Sequence, residues 1–324
     1  MAKLRRGVHS AMSDDTSLRL RAAWLYHAFG MTQNEVADQL GVGRSTVIRL
    51  LEDARARGEV KIWIDEGDDE SIELALKLER ALKLDEAIVV PSDGSIESAS
   101  KAVGLALGKF LSETITDDMR IGVGWGRTLT ASLASFHPPK RARVQVISLL
   151  GGAVETQFAN PFEYSWRLAT ALHAECFLFP APLVVDSAET RDRLLANPGI
   201  KRLAEMAQAL DLAIVSAGDI SKQPGSLVRH LITPDEHQEL LDLGCVADVM
   251  CSFLDGDGRL VPHPINGRTM SVGLPPLRAA RHKIIASGGK QRAQAMLAVI
   301  RAIGCNTLVT DAPAARDMLA QLSA

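Results

Sequence analysis

Between Ser17 and Phe29, apolar residues fall at Leu18, Ala22, Leu25 and Phe29. Intervals of three and four place them on one face of a helix. Ser17 stands at its start as a cap and Gly30 stops it. A second, shorter helix follows, with Val36, Ala37 and Leu40 as its apolar positions. Thr32 caps it, and Glu35 three residues on completes a capping box. Gly41-Val42-Gly43 then makes a tight turn. Arg44–Arg57 reads as a third helix that buries Val47, Leu50, Leu51 and Ala54, with Gly58 beyond it. Glu59–Ile64 (EVKIWI) alternates like a short strand.

The acidic, glycine-containing stretch 65–70 (DEGDDE) reads as a linker. A helix over Ser71–Leu82 follows, with Ile72, Leu76 and Leu78 as its apolar positions. From there the pattern switches to short apolar runs separated by helical periodicity. Strands are expected at Ala87–Val90, Arg120–Gly124, Val144–Leu150, Cys176–Phe179, Leu212–Ser216, Lys283–Ala286 and Thr307–Thr310. Such alternation predicts a mostly parallel, Rossmann-like α/β sheet with helices on both faces. The expected organisation is a winged helix-turn-helix DNA-binding domain over 1–64, a linker over 65–70, and an α/β effector domain over 71–324.

The segment Gln33–Leu51 (QNEVADQLGVGRSTVIRLL) meets the demands of a helix-turn-helix together. Ala37 is small where two helices approach, and Gly41 tolerates positive φ at the turn. Val36, Leu40, Val42, Val47 and Leu50 lock the helices together. Arg44, Ser45, Thr46 and Arg49 then lie near the start of a recognition helix, where base edges and phosphates are met. Arginine can bond guanine bidentately, and Ser and Thr can bond bases or phosphates. Thr32 and Gln33, at the start of the preceding helix, complete the candidate DNA-contacting set. If Glu59–Ile64 is a wing, Lys61 reaches a phosphate. Arg55 and Arg57 read equally well as DNA contacts or as complements to the helix dipole.

Charge supports the division. Residues 1–63 carry ten Lys/Arg against seven Asp/Glu, and the remainder carries 26 against 32, in a chain of net charge -3. A basic head on an acidic body fits operator DNA as a partner. Cys176, Cys245, Cys251 and Cys305 form no CxxC pair, so free thiols are expected. No metal or cofactor motif is read. The N-terminus lacks the apolar core of a signal peptide, and no run approaches the ~20 apolar residues of a membrane helix. The expectation is a cytoplasmic protein.

The segments RAAWLYHAFGMTQNEVADQLGVGRSTVIRLL, IGVGWGRTL, VISLLGG, LFPAPLVV, LGCVADVMCSFLDGDG, SGGKQRAQAM and LVTDAPAA, in this order and spacing, resemble the SorC family of sugar-responsive transcription regulators. The resemblance runs from about Leu18 to the end and is greatest to its erythritol-type polyol regulators. It implies an effector domain similar to sugar-phosphate isomerases, a phosphorylated sugar as effector, and assembly into dimers or tetramers. Paired heads on DNA half-sites lead to the same homo-oligomer.

The residues support such a pocket independently. IGVGWGRTL is a strand running into a glycine-rich turn and a helix. Gly124 and Gly126 allow close approach of a ligand. The Arg127 and Thr128 amides, with the Thr128 hydroxyl and the Arg127 guanidinium, suit an anion. Gly151-Gly152 and Gly288-Gly289 end two further strands, the latter followed by Lys290 and Arg292. Strand ends gather on one sheet edge, so these loops can converge. Asp219 and Asp248 can bond sugar hydroxyls, although Asp248 could equally cap a helix. Trp125 can stack on a ligand or simply pack. Where family members usually carry lysine, this chain has Arg292. Arginine keeps the positive charge but cannot act as a neutral amine base or form a Schiff base. The competing reading is a sugar-phosphate isomerase or deaminase fused to a DNA-binding head, with Asp219, Asp248 and His263 as its acid–base candidates. No spacing singles out a catalytic pair among them, and no catalytic residue is assigned.

Overall fold

The computed structural model describes residues 15–57, 59–60, 66–153, 160–220 and 231–323. The chain divides into two compact units, Met1–Asp65 and Glu66–Ala324.

The head contains α1 (Asp15–Phe29), α2 (Gln33–Leu40) and α3 (Arg44–Ala56). The three close on a small core of Ala22, Val36, Val47, Leu50 and Ala54. At the start of α2 the capping box forms as expected. The Thr32 hydroxyl accepts from the Glu35 amide, and the Glu35 carboxylate accepts from the Thr32 amide at 2.8 Å. Gly41 takes the left-handed conformation, φ 67°, and turns the chain into α3. Arg19 of α1 is buried and donates to both Glu59 oxygens at 2.6 Å, joining α1 to the segment after α3. Glu59 and Val60 form a bend rather than the start of a strand. Lys61 and the rest of the expected wing lie outside the described residues.

The expected linker is corrected by the structure. The chain is helical from Glu66, where α4 (Glu66–Leu82) begins. Acidic residues complement a helix N-terminus, so an acidic, glycine-containing run is also a serviceable first turn. On α4, Leu74 and Leu78 are buried, whereas Ile72 and Leu76 are exposed.

The large unit is built on a seven-stranded parallel sheet. Its strands are β1 (Glu86–Val90), β2 (Arg120–Val123), β3 (Gln145–Ser148), β4 (Glu175–Phe177), β5 (Leu212–Val215), β9 (His282–Ala286) and β10 (Thr307–Asp311). The spatial order is β1-β10-β9-β5-β2-β3-β4. Buried strands alternate between two cores. Ile121, Val123, Leu212 and Ile214 face one, shared with α5 (Ile96–Thr114) and α7 (Pro161–Leu172). Leu149, Val215, Ile285 and Leu308 face the other, shared with α4 and with the helices Ala293–Ile303 and Ala312–Ser323. A second sheet, of antiparallel strands, contains β6 (Gly218–Asp219), β7 (Cys245–Val249) and β8 (Ser252–Asp255). The turn between β7 and β8 is Met250-Cys251, with φ 50° and 58°. Both residues take the left-handed conformation that two-residue hairpin turns ordinarily give to Asn-Gly.

Strand order fixes where a ligand can enter. From β2 the chain runs outward through β3 to β4. From β5 it runs the other way, through β9 to β10, which pairs with β1 at that edge. The connections leaving the adjacent β2 and β5 therefore head in opposite directions, and such a switch point is where open α/β sheets ordinarily bind ligands.

Candidate functional site

On the head, Arg44, Ser45 and Arg49 are exposed on the first half of α3, with Thr46 half-buried beside them. Gly43 caps α3 without a side chain, and no acidic residue occupies the first turn. The positive end of a helix dipole and two exposed arginines thus share the first half of α3, which suits a phosphate backbone. Thr32 and Gln33 lie at the N-terminus of α2, where the Thr32 side chain is held by Glu35.

In the large unit, the loop after β2 leads through Gly124-Trp125-Gly126 into α6 (Arg127–Ser132). Two glycines of α5 set the position of α6. A Cβ on Gly104 would lie 2.7 Å from the Thr128 carbonyl, and one on Gly108 would lie 2.1 Å from that of Ser132. The bare backbone of α5 thus lets α6 settle close enough to turn Arg127 toward the switch point. The Thr128 hydroxyl is buried and has no hydrogen-bond partner among the described residues.

Four of the expected residues form one electrostatic cluster. Arg292 and Asp219, both buried, are joined by Nε donating to Oδ1 at 3.2 Å. Burial and then the charge of Arg292 lower the pKa of Arg127, while Asp219 and Glu97 oppose that shift. Asp248 lies across from Gly218 in the β6–β7 pair, and its carboxylate occupies the space a Cβ on Gly218 would need. It accepts from the Cys251 amide at 3.2 Å. Burial pushes the Asp248 carboxyl up to about 7, with the charge of Asp219 adding and the Cys251 amide and Arg292 opposing. The result is a buried cluster of two guanidiniums, one carboxylate in an ion pair, and one carboxyl whose pKa is raised to about 7.

Other expected residues play different parts. Trp125 is buried in the core shared with Leu149 and Val215. The Gly124 amide donates to Ile214 within the sheet. The Gly151 and Gly152 amides donate to the carbonyls of Met270 and Ala181 at 2.8 and 2.9 Å. A Cβ on Gly151 would lie 2.5 Å from the Ala181 carbonyl oxygen. This pair lets chains pack closely; its amides are committed to backbone. Gly288 and Gly289 shape the loop after β9, with Lys290 exposed at its end. That loop depends on a residue that sequence reasoning passed over. Asp311, fully buried at the end of β10, accepts from the Gly289 amide at 2.8 Å and from the Ser92 hydroxyl at 2.5 Å. Its signal was a carboxylate closing an otherwise uncharged buried strand, TLVTD. His263 is engaged elsewhere, with Nε2 on Glu239 at 2.9 Å and Nδ1 accepting from the Ile265 amide.

A helix-turn-helix head joined to an α/β domain with a buried charged cluster at its switch point defines a ligand-responsive transcription regulator. The chain belongs to the SorC family of such regulators. Residues 69–320 match the family model of the sugar-binding domain, and residues 13–62 match that of the homeodomain-like domain. The erythritol catabolism regulatory protein EryD of Brucella abortus is 32% identical over 95% of this chain and 98% of its own. The sorbitol operon regulator of Klebsiella pneumoniae is 28% identical over 95% and 99%. The crystal structure of full-length SorC from Klebsiella pneumoniae superposes with a TM-score of 0.69 at 26% identity, covering 95% of this chain and all of that one. A regulator from Streptococcus pneumoniae, 23% identical, shares the fold of the large unit with a TM-score of 0.72, over 79% of this chain and 99% of its own. The chain is therefore a DNA-binding transcription regulator with a sugar-binding domain, not an isomerase or deaminase carrying a DNA-binding head. Among the described residues no helix is long and apolar enough to cross a membrane.

Proposed function

We propose that this regulator controls a sugar or polyol catabolic operon, and that its effector is a small carbohydrate bearing an anionic group. The carrying observation is the buried convergence of Arg127, Arg292, Asp219 and Asp248 at the switch point. Arg127 and Arg292 clamp the anion, most simply a phosphate, with Lys290 at the rim and the Thr128 hydroxyl offering a bond. Asp219 accepts from sugar hydroxyls. Asp248, near neutrality, can accept from one hydroxyl or donate to another. Arg44, Ser45, Thr46 and Arg49 read the operator, and paired copies of the chain place two heads on successive half-sites. Effector binding favours one arrangement of the paired domains and so shifts operator affinity.

A thermal-shift panel on the full chain tests the effector reading. It includes erythritol, pentitols, and tetrose, pentose and hexose phosphates. One phosphorylated compound should stabilise the large unit by about 2.7 kcal/mol at a hundred times its dissociation constant. Arg127→Ala should abolish that shift. A shift produced by a free polyol and unaffected by Arg127→Ala would defeat the anion clamp. Operator affinity that is identical with and without a bound effector would defeat the coupling.

A further inference from the structure

A cavity of about 440 Å³ in the large unit is lined by none of the residues of the Arg127–Arg292 cluster. Its lining residues include three arginines, Arg191, Arg259 and Arg278, and no Asp or Glu; Arg259 is ion-paired at the surface to Asp257. Three hydroxyls join them: Ser252, Thr269 and Ser271, all in buried residues. Neither Ser252 nor Thr269 makes a side-chain hydrogen bond among the described residues, and Ser271 only accepts, from the Gly273 amide. The Nε of Arg191 is fully buried without an acceptor, and its guanidinium is ion-paired at 3.6 Å to its exposed neighbour Asp192. Arg278 is fixed by donating Nε to the Ala302 carbonyl at 2.7 Å. Buried donors without acceptors are costly, and proteins ordinarily satisfy them. Here one such donor, the Arg191 Nε, belongs to the lining of a concave space that also holds hydroxyls and has room for a small molecule.

We propose that this cavity is a second small-molecule site, selective for a compact, hydroxyl-bearing anion. The guanidinium of Arg191 takes the anionic head, and Ser252, Thr269 and Ser271 meet the hydroxyls. The position also gives the site a means of influence. Ser252 pairs with Val249 across the β7–β8 hairpin, whose turn is held by Asp248 through the Cys251 amide. Ser271 bridges to Leu150, beside Gly151. A ligand here therefore bears on two loops that lead to the first site, and acts as a co-effector.

The test is isothermal titration of the full chain carrying Arg127→Ala, which weakens the first site, with glycerol 3-phosphate, glycerate and glycerol. At least one of the two anions should bind saturably at one per chain, and glycerol should not. The stronger anion identifies the head group the site takes. Arg191→Met should weaken that binding at least tenfold, and the near-isosteric Thr269→Val several-fold, in variants whose melting curves match the parent. Absence of saturable binding by both anions would overturn the proposal. So would binding that neither substitution alters, or glycerol binding as tightly as the anions.

Discussion

Asp248→Asn should change how the stability of the large unit depends on pH. The carboxyl is buried and its folded pKa is raised from 3.8 to about 7. A raised carboxyl pKa means the folded state holds a proton that the unfolded state has already released. Its stabilising contribution is full below the unfolded pKa and is lost as pH rises through the folded value. Across that window the loss is about 1.4 kcal/mol per pH unit, roughly 4 kcal/mol in all. Between pH 5 and pH 8 it amounts to about 2.5 kcal/mol. Asparagine keeps the shape and an oxygen for the Cys251 amide but carries no titrating proton. Urea denaturation of both chains from pH 5 to 8 isolates the effect, because other titrating groups cancel in the difference. The variant should gain about 2.5 kcal/mol on the parent over that range, with the gain levelling off above pH 7. A difference that stays flat with pH would refute the view that Asp248 is held as a buried acid beside Asp219.

Further outcomes follow from the same geometry. Gly108→Ala drives a methyl against the Ser132 carbonyl and the Ser135 hydroxyl. The helix-propensity gain of ~1 kcal/mol cannot offset a backbone clash of this kind, so the melting temperature should fall and α6 should shift. Arg292→Met removes the guanidinium from buried Asp219 and should reduce stability by ~3–5 kcal/mol in urea titration, as well as weakening effector binding. Arg44→Ala and Arg49→Ala should each weaken operator binding. A phosphate contact would lower the slope of log affinity against log salt by about one, and a base contact would cost ~1–3 kcal/mol on the specific site alone.

The elements most legible in the sequence were those with redundant signals. The strands of the parallel sheet were visible as short apolar runs, most continuous where both faces are buried, as in Leu212–Val215, and still present at the partly exposed edge strands β1 and β4. The helix-turn-helix was visible because Thr32, Glu35, Ala37 and Gly41 each meet a separate local requirement. The β6–β8 sheet was not read. Gly218–Asp219 is only two residues long, and the hairpin turn Met250-Cys251 offers none of the usual turn residues. On α4, Ile72 and Leu76 were indistinguishable by type from Leu74 and Leu78, and only the fold decides which pair is buried. Arg127 and Arg292 were read from the glycine-rich loops they follow, and Asp219 and Asp248 only as carboxylates able to meet sugar hydroxyls. Sequence does not reveal that the Gly151 and Gly152 amides already have backbone acceptors. Asp311 was missed for the opposite reason: its role rests on Ser92 and Gly289, far away along the chain.

The pairing of β1 with β10 joins Glu86 to Thr307, and it imposes an order on the protein's synthesis. The contacts of the head are complete within about sixty residues, so it can fold soon after it leaves the ribosome. The sheet is completed only when its last strand emerges. At roughly 5–20 residues per second, that strand follows the head by about ten to fifty seconds. Until then β1 and β9 lack the neighbour that separates them, and the non-local closure that remains is slow. A newly made molecule therefore passes through an interval in which the part that grips DNA is formed and the part that answers to metabolite is not.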